Sequence, residues 1–312
     1  MIYLESFRFP SLMKEQDILW DYDQKNPASK YIDNVTYPFG VLSSRGLHSL
    51  DFSEITILYG GNGSGKSTAL NIIGEKLGLG RQSPYNKGHL QSLYLEHCTC
   101  KESNWYGSPC DLKEISSFMT SDDIFKQMLD VRTRNNHFEI RRDKTIDEIL
   151  RIKSGRLTAD ERHAKRHLNF ETGENVDTFI RTTDMQRKTL PRFLRDEMGR
   201  KEDVYSNGET GFLSFVESII PNHLYILDEP ENSLSCELQM KLAEYIELSA
   251  KHSGCQFIIA THSPFILAIA TAKIYNLDAE PAAIAKWWEL PNMQLYFRLF
   301  KQYDGQFSNV VK

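Results

Sequence analysis

This chain of 312 residues contains no long hydrophobic run and no regular pattern of cysteines. Its longest apolar run, near 264–272, is roughly half the length that a membrane-spanning helix needs. The N-terminus carries Glu5, Arg8 and Pro10 where a signal peptide would be continuously apolar. The five cysteines, an odd number without a regular pattern, fit reduced thiols. We therefore expect a cytoplasmic protein that makes no membrane contact.

The charge of the chain is spread unevenly along the sequence. The net charge is −5, yet residues 126–201 hold 19 Lys and Arg against 13 Asp and Glu. That segment therefore carries +6, and the remainder of the chain carries −11. A basic segment in an acidic protein indicates either contact with nucleic acid or a solvated, helix-rich insertion. Both interpretations stay open at this stage.

A glycine-rich motif at 60–67 fits the pattern G-x-x-x-x-G-K-S/T. It lies between an apolar strand pattern and an amphipathic helix pattern, which is the context that a phosphate loop requires. Glycines let successive N–H groups face an anion, and the helix N-terminus adds positive partial charge. Lys66 would reach the β- and γ-phosphates, and the Ser67 hydroxyl would ligate Mg²⁺. The predicted nucleotide-binding residues are Gly60, Gly61, Asn62, Gly63, Ser64, Gly65, Lys66, Ser67 and Thr68.

Two adjacent carboxylates and one histidine follow buried-strand patterns further along the chain. Asp228 and Glu229 come at the end of the apolar run 224–228, and His262 follows the run 256–260. Ligands of open α/β sheets bind at the carboxyl ends of the strands, so these side chains should meet there. Close carboxylates repel each other unless a cation lies between them. We predict that Asp228 supports Mg²⁺, Glu229 activates the attacking water and His262 contacts the γ-phosphate.

Strand and helix patterns predict an α/β fold with a mixed, largely parallel sheet. Its predicted strands are 2–9, 37–42, 50–52, 55–59, 224–228, 256–260 and 273–277. The predicted helices in the second half are 211–220 and 235–252. Residues 81–204 are charged and mostly helical in pattern, without strong strand signals. The predicted organisation is thus a core of 1–80 and 205–312, with a helical insertion at 81–204.

Together these motifs resemble the ATP-binding-cassette (ABC) ATPases, in the soluble branch with SMC, RecF and OLD-like proteins. The resemblance covers 1–79 and 205–277, about half of the chain. It implies a P-loop NTPase fold and an ATP hydrolase that uses ATP and Mg²⁺. The D-loop of the family matches 230–235. The family signature has a degenerate counterpart at 205–209, in which Ser206, Asn207, Gly208 and Glu209 would contact the nucleotide.

The resemblance also implies partners. In that family the signature caps the nucleotide of a second subunit, so we expect a head-to-tail homodimer joined by ATP. Small relatives occur in bacterial anti-phage systems, which implies antiviral defence and a partner effector protein. An alternative is a regulatory or scaffold ATPase with slow turnover that controls a separate nuclease or toxin. Nucleic acid remains a candidate ligand of the basic insertion.

Some assignments stay open on the sequence alone. The adenine-stacking residue, the Q-loop glutamine and a zinc site each have candidates. Free cysteines are favoured over zinc because the spacing matches no zinc knuckle. The aromatic residues near 287–300 would cover a sheet edge or bind a partner. The candidates for stacking are Tyr37, Phe39 and Arg45; for the Q-loop, Gln82 and Gln91, or the glutamine-free segment 114–119; for zinc, His97, Cys98, Cys100 and Cys110.

Overall fold

The computed structural model describes residues 1–26, 36–81, 83–105, 108–109, 111–123, 144–166, 175–187 and 207–307. The chain forms two compact units. One unit is Met1–Phe125 together with Ser206–Lys312, and the other is Lys126–Tyr205. The second unit therefore begins later than the insertion of 81–204 that the sequence suggested.

The strands, in chain order, are β1 (Leu4–Arg8), β2 (Ser49–Asp51), β3 (Ile55–Tyr59), β4 (Thr99–Glu102), β5 (Asn104–Trp105), β6 (Ser108–Pro109), β7 (Ser116–Thr120), β8 (Leu224–Asp228), β9 (Gln256–Ala260), β10 (Lys273–Asn276) and β11 (Ala283–Ala285). The helices are α1 (Leu12–Lys25), α2 (Lys66–Lys76), α3 (Gln91–Glu96), α4 (144–153), α5 (Ala159–Arg166), α6 (Val176–Arg187), α7 (Asn207–Ser218), α8 (Cys236–His252), α9 (Pro264–Leu267), α10 (Pro291–Gln302) and α11 (Asp304–Phe307). Short 3₁₀ turns lie at Ser43–Arg45 and Trp287–Glu289.

Within the described residues, a six-stranded sheet forms the centre of the first unit, in the order β11-β10-β3-β9-β8-β7. Every pairing is parallel except that of β10 with β11 at one edge. Strands β3, β8 and β9 are buried at every position. A strand buried on both faces needs a continuous apolar run, which is why these strands were visible in the sequence. The predicted α/β fold with a largely parallel sheet is confirmed.

Helices cover both faces of this sheet. On one face, Leu70 and Ile73 of α2 lie in a core with Ile226 of β8. On the other face, Phe215 of α7 and Ile246 of α8 are buried against the sheet. Full burial of a side chain of this size contributes about 1.5–3 kcal/mol. The two cores hold the carboxyl ends of β3, β8 and β9 side by side.

Two local predictions were wrong, and one helix was not predicted at all. Residues 37–42 form turns, because Gly40 takes a φ of +79° that a strand cannot accommodate. The polar stretch after β1 contains α1, whose N-cap is Ser11. The segment 81–204 contains strands, among them β4, which pairs with β1, and β7, which pairs with β8. These strands are short or rich in serine and threonine, so no apolar run marked them.

The second unit contains α4, α5 and α6, in agreement with the helical pattern of its sequence. Its small core is formed by Ile149, Ile152 and Met185. Arg151 pairs with Glu161, and this pairing lowers the pKa of the Glu161 carboxyl to about 2. Across the part of the chain that the structure describes, no helix combines the length and the apolar character needed to cross a membrane.

Candidate active site

The phosphate loop connects the end of β3 to the start of α2. Gly63 and Gly65 have φ values of +80° and +95°, which favour glycine strongly. A Cβ atom on Gly60 would lie 2.5 Å from Ser64 Oγ, so this position also has no room for a side chain. The loop therefore adopts the tight curvature that the motif predicted, and Gly65 caps α2 at its N-terminus.

Lys66 lies folded over the loop that precedes it. Its Nζ donates hydrogen bonds to the Gly60 carbonyl at 2.8 Å and to the Gly61 carbonyl at 3.2 Å. Burial lowers the pKa of the Lys66 amine, whereas the nearby carboxylates of Glu229 and Asp228 oppose that shift. A phosphate at the mouth of the loop would give this amine an anionic partner at hydrogen-bond distance.

Asp228 meets Ser67 at the carboxyl end of β8. The Ser67 hydroxyl donates to Asp228 Oδ1 at 2.9 Å, so the two predicted metal ligands are in contact. Burial raises the pKa of the Asp228 carboxyl, and the hydrogen bond from Ser67 opposes that shift. A hydroxyl and a carboxylate are the oxygen ligands that Mg²⁺ prefers beside a substrate phosphate. These two side chains fit a Mg²⁺ ion.

Glu229 and His262 face each other beside that pair. His262 Nε2 lies 3.5 Å from Glu229 Oε1, and each side chain is about one third exposed, at 31% and 32%. Asn232 Nδ2 donates to Glu229 Oε2 at 3.0 Å and so fixes the carboxylate. Burial lowers the pKa of the His262 imidazole. A neutral ring and an oriented carboxylate at one edge could position and deprotonate a water molecule.

The D-loop segment 230–235 connects the two strand ends. Glu231 is 6% exposed, and its Oε1 accepts hydrogen bonds from Thr261 Oγ1 at 2.5 Å and from Ser263 N at 3.1 Å. Burial raises the pKa of the Glu231 carboxyl. The segment after β8 is thereby tied to the segment after β9 that carries His262. The sequence pattern assigned this region to the D-loop but did not identify Glu231 as the residue that makes the connection.

Arg81 is a site residue that the sequence analysis missed. Its guanidinium lies 3.8 Å from Asp228 Oδ2 and donates to Asn71 Oδ1 at 2.7 Å. The same group stacks over the rings of Tyr85 and Phe118, at 5.4 Å and 5.6 Å from their centroids. Arg81 lies five residues after the last residue of α2, and no local pattern shows that its side chain turns back toward β8.

Asp278 is a second missed residue. The Gly61 N–H donates to both of its carboxylate oxygens, at 2.9 Å and 2.8 Å. Asp278 follows β10, which lies beside β3 in the sheet, and this adjacency brings the carboxylate to the phosphate loop. A weak signal was present in the sequence, since an acidic residue after a buried strand pattern should emerge at the same sheet edge.

The signature segment is only partly described. Ser206 lies outside the described residues. Asn207, Gly208 and Glu209 lie in the first turn of α7, whereas the sequence analysis placed them in a turn before a helix that begins near Gly211. That placement was wrong because two glycines lower the intrinsic helix propensity, and the rest of α7 outweighs them.

The structure shows the surroundings of most candidates for adenine stacking, the Q-loop glutamine and the zinc site. Phe39 is buried at 5% exposure with its ring edge-on to Tyr94, so it is not available to stack on a base. Tyr37 lies beside the phosphate loop and donates to Thr68 Oγ1 at 3.2 Å. Gln91 is buried and donates to Glu75. Arg45, the third stacking candidate, pairs with Glu280. Cys98 and Cys100 are free thiols. Gln82 and Cys110 lie outside the described residues.

A glycine-rich loop between a buried parallel strand and a helix, with its lysine and serine facing an acidic strand end, defines a P-loop nucleotide hydrolase. The family model of the ABC transporter ATPases matches residues 48–232, more than half of the chain. The chain belongs to that family, the ATP-binding cassettes, and is an ATP-hydrolysing P-loop enzyme. A second model, the AAA ATPase domain, matches residues 212–267. No curated protein matches this sequence.

The solved structures to which this chain is similar share little sequence with it. The Smc head domain of Pyrococcus furiosus bound to the C-terminal domain of ScpA is 13% identical, with a TM-score of 0.33; the match covers 80% of this chain and 95% of that one. A nucleotide-free ATP-binding cassette of an ABC transporter is 15% identical, with a TM-score of 0.36 and coverages of 78% and 88%. The Smc head domain of Thermotoga maritima is 14% identical, with a TM-score of 0.30 and coverages of 76% and 92%. The family assignment rests on the sequence match alone.

Proposed function

We propose that this chain is a Mg²⁺-dependent ATPase that hydrolyses ATP at the interface of a head-to-tail dimer. Lys66 and the loop N–H groups of 60–68 bind the phosphates, and Ser67 and Asp228 hold the metal. Glu229 accepts a proton from the attacking water, and neutral His262 donates to the γ-phosphate. Bound Mg²⁺ would neutralise charge that develops between the β- and γ-phosphates.

The observation that carries the proposal is the contact of Glu229 with His262 beside the Ser67–Asp228 pair. Both side chains are about one third exposed, so one side of the site is open to water. Hydrolysis of a bound triphosphate benefits from a closed site in which fixed dipoles replace water. A second copy of the chain, which presents Ser206, Asn207, Gly208 and Glu209, would close that side. The helix α7 begins at this segment, and a helix N-terminus favours a phosphate.

Trapping of the dimer tests this proposal. Glu229→Gln removes the base and leaves Lys66, Ser67 and Asp228 in place. Turnover is expected to fall by about 10²–10⁴, while ATP binding persists. In saturating Mg²⁺-ATP the variant should run as a dimer in size-exclusion chromatography with light scattering, and Lys66→Ala should stay monomeric. A Glu229→Gln chain that binds ATP and remains monomeric would contradict the dimer.

The biological role that we propose is a cytoplasmic, nucleic-acid-related or antiviral defence complex in which ATP turnover drives a conformational change. The basic segment 126–201 supports a nucleic-acid ligand through its charge of +6. The alternative is a slow regulatory ATPase that controls a separate nuclease or toxin. The ATPase rate should be measured with DNA, RNA and candidate partner proteins. Stimulation by nucleic acid is expected for the nucleic-acid-related complex and not for the slow regulatory ATPase.

A further inference from the structure

Helix α10 leaves an unusual amount of apolar surface uncovered. Phe297 and Phe300 are 60% and 55% exposed. Single exposed apolar residues are common, but a contiguous group on one helix marks a contact surface. We use the name α10 face for the exposed apolar side chains of this helix, which are Leu295, Tyr296, Phe297, Leu299 and Phe300.

The spacing of these residues makes the α10 face one continuous surface. At 100° per residue they span an arc of about 200° around the helix axis. The helix is anchored mainly through its first turn, where Met293 is buried and Asn292 N donates to Tyr59 Oη at 3.4 Å. Beyond that turn the apolar side chains are about half exposed, and Phe300 has an edge-on contact with Phe307 at 5.8 Å between ring centroids. The described residues therefore hold the face in place and leave much of it uncovered.

The charged side chains within α10 itself have one sign. Pro291–Gln302 contains Arg298 and Lys301 and no acidic residue. On a helical wheel the two basic residues lie on the polar side, one toward each border of the apolar arc. Lys301 Nζ is 5.7 Å from the ring centroid of Phe297, so its charge lies directly beside the face. A second copy packed on this face would bring like charges together, whereas an acidic partner would complement them.

We propose that the α10 face is a docking surface for an amphipathic helix of a partner protein, one with an apolar stripe flanked by Asp and Glu. The stripe would bury Leu299 and Phe300, and the carboxylates would pair with Arg298 and Lys301. Recognition of an amphipathic helix by an apolar surface uses anchors at i, i+3, i+4 and i+7. The proposed contact uses none of the residues assigned to the nucleotide site, and it requires no nucleotide.

Two synthetic helical peptides test the proposal. Both are about 18 residues long, or five helical turns, with the same leucine stripe. One carries Glu and the other Lys on the flanks of the stripe, and binding to the full chain is measured by fluorescence anisotropy. We expect the Glu peptide to bind at least about tenfold more tightly, which corresponds to about 1.4 kcal/mol. Its affinity should weaken as the salt concentration rises.

Substitutions at exposed positions test whether the α10 face is the surface that binds the peptides. Arg298→Glu combined with Lys301→Glu should reverse the preference and favour the Lys peptide. Phe300→Asp should weaken binding of both peptides. The matched control is Lys14→Glu combined with Lys251→Glu, which makes the same charge change at exposed positions on α1 and α8 and should leave the preference unchanged.

Three results would overturn the proposal: no binding of either peptide, equal binding of both, or a preference that the charge reversal does not alter. A nucleotide-free dimer that Phe300→Asp dissociates in analytical ultracentrifugation would assign the face to a second copy and would also overturn it. None of these measurements involves ATP. The inference therefore fails or survives independently of the proposed hydrolysis.

Discussion

The backbone N–H of His262 donates to Glu231 Oε1 at 2.8 Å, which fixes the segment after β9 to the segment after β8. The same oxygen also accepts from Thr261 and Ser263, so one buried carboxylate determines where the His262 ring is placed. Glu229 is two residues from this carboxylate. The relative position of the proposed base and the proposed γ-phosphate contact therefore depends on Glu231, whose side chain binds the backbone of His262 and not its ring.

Replacement of Glu231 should separate turnover from binding. Glu231→Ala leaves buried donors of the His262 segment without their acceptor, at a cost of about 1–3 kcal/mol each. We expect kcat to fall by at least about tenfold, while the dissociation constant for ATP changes little because Lys66 and Ser67 are untouched. Glu231→Gln keeps an acceptor oxygen and should retain most turnover. Glu237→Ala, an exposed site on α8, is the control. Equal losses of kcat and ATP affinity would contradict this role.

Arg81 should lower the pH at which the enzyme loses activity. Its charge opposes the rise that burial causes in the pKa of Asp228. Asp228 must be ionised to hold Mg²⁺, and removal of a nearby opposite charge raises the pKa of a carboxyl group. Arg81→Gln should therefore move the acidic limb of the pH–kcat/KM profile to higher pH.

The control for Arg81 is Lys87→Gln. Lys87 also lies over the Tyr85 ring, at 5.7 Å, but it pairs with Glu75 and not with Asp228. This variant should leave the acidic limb in place. An identical shift in both variants would indicate a change of local packing instead of the loss of a charge beside Asp228.

Substitution of Asp278 should have two effects on ATP affinity that can be separated. Asp278→Asn keeps an acceptor for the Gly61 N–H and removes a negative charge that lies near Lys66. ATP should then bind severalfold more tightly. Asp278→Ala also loses the hydrogen bond, which is worth about 0.5–1.5 kcal/mol. Calorimetric titration of ATP should give a weaker affinity for Ala than for Asn, and equal affinities would show that the Gly61 contact is unimportant.

His223 should make the stability of the folded chain decrease at acidic pH. It is buried at 6% exposure, its Nε2 lies 3.0 Å from Ser117 Oγ, and burial lowers the pKa of its imidazole from 6.5. The stability that its neutral ring contributes is present above pH 6.5 and is lost as the pH falls, because the unfolded chain then takes up a proton first. Urea unfolding between pH 7.5 and about 5.5 should show a steeper loss for the native chain than for His223→Gln. Parallel curves would refute this assignment.

The parts of the site that the sequence predicted are those encoded within a few residues. The loop at Lys66 and the pair Asp228–Glu229 each follow a short, continuously apolar run, which is typical of a strand buried on both faces. Parallel strands then fix where their ends meet, which also predicted His262. Local pattern and sheet topology were sufficient to predict that these residues lie together at one edge of the sheet, and their roles stay predictions.

The parts that the sequence missed depend on contacts between distant segments. Strand β7 has the sequence Ser-Ser-Phe-Met-Thr, and only its pairing with β8 makes it a strand. Asp278 reaches Gly61 across 217 residues, and Arg81 reaches Asp228 through stacking on two rings. The exposure of the α10 face is likewise a property of the folded chain, since its sequence alone fits a buried helix equally well.

The backbone at Glu229 has a φ of +49°, a left-handed conformation that glutamate rarely adopts. For a residue with a Cβ this conformation costs about 1–2 kcal/mol. Glu229→Gly should therefore unfold at a higher urea concentration than the native chain and yet hydrolyse no ATP. If it proves less stable, the turn carries no strain. If Glu229→Gly is the more stable chain, selection for stability would favour glycine at position 229. Selection for turnover would favour glutamate there, because the proposed base is a carboxylate.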